Sequence, residues 1–211
     1  MKIAVVSESP ADEAAIKILV DAIIGHETEL MSAPRLRPGG WPHVLNLLPS
    51  IAKALHYHTN AQGIAVVVDS DSSPVHLVDH PANQNCDSEC RLCLLRSCLA
   101  TSLQRVSPVA NRAPLRTAIG LAVPSIEAWY RCGLDPHVNE ARWIGRLSGE
   151  EINYTKRSLK VDVYGSDQPS LHAEAAAAVE AARRLAQNLE QLSQLFPSGF
   201  GCLLADVRSW L

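Results

Sequence analysis

The chain has 211 residues, 47% of them apolar, and a formal net charge of −3. That length can bury one sizeable core, the apolar content excludes a disordered chain, and the weak negative charge argues against a general nucleic-acid coat, which is basic. No apolar stretch approaches the roughly 20 residues that span a bilayer, and the apolar start Met1 to Val6 runs into Glu8 without the long apolar core of a signal peptide, so a cytoplasmic protein without membrane contact is expected.

Residues 2–7 read as a buried strand. A helix is expected over 10–24, with Ser9 as N-cap, Pro10 in the first turn and Gly25 as the stop. A short strand is expected near Glu29 to Ala33. Residues 42–57 carry a helical stripe of Val44, Leu47, Leu48, Ile51 and Leu55, and Pro49 should kink or split it. Ile64 to Val68 is a continuous β-branched run of the kind found in a central parallel strand. A polar loop from Ser72 to about Asn85 should precede a cysteine-bearing helix over 87–105. Arg116 to Val123 reads as another inner strand, with a short helix from Ser125 to Tyr130. Helical pieces are expected at 138–147 and 149–159. Ser170 should then cap one long helix to Leu195, and a last short helix should run from Phe200 to Trp210. The expected fold class is α/β: a Rossmann-like, mainly parallel sheet flanked by helices, with a Cys/His-bearing insertion at about 72–100. Residues 1–131 would form the core and 132–211 a mostly helical extension packed on it.

Three acidic groups fall where predicted strands end: Glu8 with Asp12 and Glu13, then Asp69 with Asp71, then Glu127. In an open parallel sheet, ligands bind outside the carboxyl ends of the strands. Carboxylates gathered there repel one another unless a cation lies between them, and Mg²⁺ or Mn²⁺ suits such oxygen donors. Asp69 and Asp71 share one side of an extended chain. Glu8 could be a ligand or a general acid/base, since like charges nearby would raise its pKa. Asp12, Glu13 or Glu127 could support a second ion, and two metals would stabilise the entering and leaving oxygens of a phosphodiester displacement. Asp12 could instead complete a capping box with Ser9.

The glutamate after the first strand and the Asp-x-Asp after a later one resemble a Toprim domain. The fit is closest to small bacterial OLD-nuclease-like Toprim proteins, whose first motif reads E-G-x-T-D/E-E where this chain has Glu8-Ser9-Pro10-Ala11-Asp12-Glu13. Ser125-Ile126-Glu127-Ala128-Trp129 matches the family's later apolar-Glu-x-Trp motif. The resemblance covers residues 1–131 and departs from the family at the Gly and Thr of the first motif. It implies metal-dependent cleavage of DNA or RNA, with Glu8, Asp69, Asp71 and Glu127 as catalytic residues. The chain carries no P-loop motif. By analogy with OLD nucleases and their smaller relatives, an ATPase partner and a role in anti-phage defence are implied, and a homodimer is compatible.

His76, His80, Cys86, Cys90, Cys93 and Cys98 lie in one short stretch. In a reducing compartment such clustering reads as metal binding before disulfides. His80, Cys86, Cys90 and Cys93 could supply the four ligands of structural zinc, with Cys98 or His76 as substitutes. On a helix, Cys86, Cys90 and Cys93 would equally share one packing face. Arg35 and Arg37, beside Gly39, Gly40 and Trp41, and the run Lys156, Arg157 and Lys160 could hold phosphates. Two further readings stand beside the enzyme: a non-catalytic Toprim-fold regulatory or structural subunit, and a zinc-stabilised nucleic-acid-binding module.

Overall fold

The structure, a computed structural model, describes residues 1–31, 40–76 and 89–211. Among the described residues four strands, β1 (Lys2–Val6), β2 (Glu29–Leu30), β3 (Gly63–Asp69) and β4 (Arg116–Ala122), form one all-parallel sheet in the order β2-β1-β3-β4. β3 is central and buried along its length because its β-branched side chains are covered on both faces. The helices are α1 (Pro10–Ile24), α2 (Gly40–His58), α3 (Arg91–Gln104), α4 (Ile126–Arg131), α5 (Glu140–Leu147), α6 (Lys156–Tyr164), α7 (Leu171–Leu185), α8 (Leu189–Leu195) and α9 (Phe200–Arg208).

The sheet is wound in two directions. The chain leaves β1 through α1 to β2 on one side, then crosses through α2 to β3 on the other. Right-handed crossovers put α1 and α2 on opposite faces. The contacts agree: α1 meets α7 and α9, with α9 on β4, while α2 meets α3 and both touch the sheet. The strand order therefore reverses between β1 and β3, which opens a crevice beyond their carboxyl ends. The register aligns Val6 with Val66, so the residues just past β1 lie level with the end of β3.

Local rules explain most boundaries. Ser9 caps α1, accepting from the Ala11 N–H, and Gly25 ends it in the left-handed region at φ 83°. Pro49 does not split α2, which is continuous. The proline lacks the N–H that would reach the Leu45 carbonyl, and the Cys98 thiol approaches that carbonyl at 3.8 Å instead. The helix expected over 149–159 begins only at Lys156, where Thr155 and Ser158 form a capping box. The single helix expected from 170 to 195 is two: Asn188 accepts from the Gln191 N–H and starts α8 afresh. Among the described residues, side chains from 132–211 pack with those of 1–131. One hydrophobic cluster runs from Ile3 to Trp210, and Trp129 meets Phe200 edge-on at 5.4 Å.

Among the described residues no helix is long and apolar enough to cross a membrane. Arg35, Arg37, His80 and Cys86, singled out from the sequence, lie outside the described residues.

Candidate carboxylate site and thiol–imidazole cluster

Glu8, Asp69 and Asp71 meet at the switch point of the sheet. Glu8 follows β1, and its Oε1 accepts the Asp69 backbone N–H at 2.9 Å. Asp69 ends β3 and accepts the Ile126 N–H on Oδ1 at 3.0 Å, so it also caps the start of α4. Asp71 stands in the left-handed region at φ 51°, a conformation that short polar side chains tolerate. Its carbonyl accepts the Trp143 indole N–H at 3.2 Å. These bonds hold the Glu8 and Asp69 carboxylates and the Asp71 backbone.

Among the described residues two cations answer them. The Lys156 ammonium, on the first turn of α6, donates to Asp69 Oδ2 at 3.0 Å and to Asp71 Oδ1. Arg91, the first residue of α3, donates to the Asp69 carbonyl at 2.6 Å and to Asp71 Oδ2 at 2.7 Å, and lies 4.0 Å from Glu8. Its guanidinium sits 5.1 Å from the Trp41 ring centre, a cation–π contact. Arg91 and Trp41 help build the site in the structure. The sequence singled out Trp41 as a phosphate contact and passed over Arg91, whose only cue is its place at the head of the cysteine-bearing helix.

The electrostatics separate the three acids. Burial raises the Glu8 pKa, opposed by the Asp69 N–H bond. Burial also raises Asp69 well above the usual carboxylate range, with Lys156 opposing and Glu127 and Glu8 adding. Asp71 is pulled down: burial raises it, but the bonds from Lys156 and Arg91 outweigh that. Burial disfavours the Lys156 charge, yet Asp69 and Asp71 raise its pKa on balance.

A cavity of about 210 Å³ opens beside this cluster, lined by Glu8, Asp12, Asp69, Glu127, Lys160 and Glu174 among others. Asp12 is buried and accepts the Tyr130 hydroxyl at 2.9 Å, so its carboxyl faces inward rather than closing a capping box. Burial pushes its pKa up to about 7, opposed by the Tyr130 bond. Lys160 pairs with Glu174 at 3.0 Å across the cavity wall. Glu127 lines the same cavity. Glu13, one position round α1, does not. Arg157 also falls away from the site: it is largely exposed and pairs with Asp167 at 2.5 Å. Of the predicted basic run, Lys156 joins the carboxylates and Lys160 the cavity.

A second cluster lies beside the first. His76, Cys90 and Cys93 bring one imidazole nitrogen and two sulfurs within 4.8 Å of one another. Cys93 is disulfide-bonded here, against the expectation of metal binding before disulfides, so the group could hold a metal ion once that bond is reduced. Cys98 does not join it. Five residues on from Cys93, it points to another side of α3 and faces the Leu45 carbonyl.

Comparison with protein-family models, curated proteins and solved structures finds no match to this chain.

Proposed function

We propose that this protein is a Toprim-type, Mg²⁺- or Mn²⁺-dependent nuclease or phosphodiesterase. The observation that carries the reading is the meeting of Glu8, Asp69 and Asp71 at the switch point, with two aspartate oxygens turned on a single cation, the Lys156 ammonium. A point already shared by two carboxylates suits a hard divalent ion. Asp69 and Asp71 would hold it, with Glu8 beside them, and the bound ion would supply charge stabilisation at a phosphoryl oxygen. Asp12, with a pKa about 7, can take or give a proton near neutral pH, and Tyr130 orients it. Lys156 and Arg91 would meet substrate phosphates once released from the aspartates. Zinc, which prefers sulfur and imidazole, suits His76, Cys90 and Cys93.

The test is cleavage of labelled single- and double-stranded DNA and RNA with Mg²⁺, Mn²⁺ or EDTA, wild type beside Asp69→Ala/Asp71→Ala. Metal-dependent cleavage lost in the variant is the expected result. An ATPase partner and a role in anti-phage defence belong to the same proposal. Co-purification with a candidate ATPase, and cleavage that appears only in its presence, would support them.

A second reading has its own observation. Lys156 and Arg91 already neutralise the aspartates, as structural counter-ions would in a non-catalytic subunit. Absence of cleavage together with no Mn²⁺ bound at the cluster would select it.

A further inference from the structure

We propose that His76, Cys90 and Cys93 form a zinc site that holds the first turn of α3 and thereby seats Arg91 on the aspartates. The Cys93 and Cys90 sulfurs lie 3.2 and 3.9 Å from the same His76 Nδ1. A tetrahedral ion with Zn–S of about 2.3 Å and Zn–N of about 2.05 Å sets nitrogen and sulfur about 3.6 Å apart, between the two observed distances. Both His76 and Cys90 are buried, which shields such a site from water. Three protein ligands leave one tetrahedral position for water or a fourth donor.

The position of Cys90 is the second observation. It is the N-cap of α3, makes no capping bond to the helix, and stands where Ser, Thr, Asp or Asn usually serves. The side chain at the helix entry is thus given to the thiol–imidazole cluster. Arg91 follows Cys90 directly and donates to Asp69 and Asp71. One peptide bond joins the two clusters, so an ion that fixes Cys90 and Cys93 fixes the backbone from which Arg91 reaches out. Arg91 is a positioning residue here. Its target rests on the carboxylate reading above; the binding of zinc does not.

Cys93 is disulfide-bonded in this structure, and the ligand form is the thiolate. A phosphine reduces the bond, taking oxygen from water to become its oxide and leaving two thiols.

The experiment uses the full chain under a phosphine reductant. Zinc content is measured after gel filtration, and the site is stripped with a chelator and refilled with Co²⁺. One equivalent of zinc and a thiolate-to-cobalt charge-transfer band are expected in wild type, in Cys98→Ser and in Asp69→Asn. Both should be lost in Cys90→Ser and Cys93→Ser. Because a serine variant could fail to fold, hydrogen exchange at Leu92 to Leu95 is compared in zinc-loaded and stripped wild type, with at least about tenfold slowing expected on loading. Substoichiometric zinc, a cobalt spectrum without thiolate character, or exchange unchanged by loading overturns the proposal. Loss of zinc in Asp69→Asn also overturns it, since the ion would then belong to the carboxylates. Failure of the cleavage test alone leaves every one of these readouts in place.

Discussion

Lys156 Nζ lies 3.0 Å from Oδ2 of Asp69, although 87 residues of chain separate them. The same ammonium bonds Asp71. Lys156 reaches them because Thr155 starts α6 at the mouth of the sheet. A lysine drawn between two aspartates offsets their repulsion, and a divalent ion would have to displace it. That competition makes the cluster testable from both sides.

Lys156→Met should tighten Mn²⁺ binding about tenfold, about 1.4 kcal/mol, because no ammonium is displaced. In EDTA the same variant should lose about 1 kcal/mol of stability, the small value proper to a pair that water still reaches. Calorimetric titration and thermal melts measure both. Unchanged Mn²⁺ affinity would show that the aspartates serve Lys156 alone.

Asp69→Asn keeps an oxygen for the Ile126 N–H and so should fold. It removes the charge that a divalent ion needs. Cleavage should fall by about 10²–10³, the usual effect of losing one charge-stabilising group, with little change in the melting temperature. A variant that cleaves at the wild-type rate would remove Asp69 from the mechanism.

Asp12 should make the metal-free protein less stable as pH rises. Its folded pKa, pushed up to about 7 by burial, exceeds the ordinary 3.8, so the fold retains a proton that the unfolded chain releases. The stabilisation is full below about pH 4, declines between about 4 and 7, and is gone above about 7. Asp12→Asn should flatten that slope and melt higher than wild type at pH 8 in EDTA. A pH–stability curve identical to wild type would contradict the assignment.

Glu140 ties α5 to the turn that starts α9. Its buried carboxylate accepts the Ser198 and Gly199 N–H groups at 2.9 Å each. Glu140→Ala strands two buried donors and should cost about 2–4 kcal/mol, read by urea unfolding. A loss under 1 kcal/mol would mean that water or a shifted backbone replaces the carboxylate.

Much of the sheet was legible because its signals are local. Ile64 to Val68 is β-branched and continuous, and it forms the buried centre of β3. Ser9 and Gly25 bracket α1 as capping rules require. The break at Asn188 was not legible, because the apolar stripe continues across it while a side-chain cap restarts the helix. Cys98 looked like a ligand by proximity in sequence, yet its place on α3 turns it to Leu45.

By itself the sequence determined that acidic residues end the strands: polar side chains cannot continue a buried β-branched run, so Glu8 and Asp69 mark where the chain leaves the sheet. Only the tertiary structure decided which groups face them. Reversal of strand order between β1 and β3 brought Glu8 onto the Asp69 N–H, and the landing points of α3 and α6 chose Arg91 and Lys156 as the cations. Such pairings leave no periodic trace in the chain, because the partners of a charge are set by how distant helices pack.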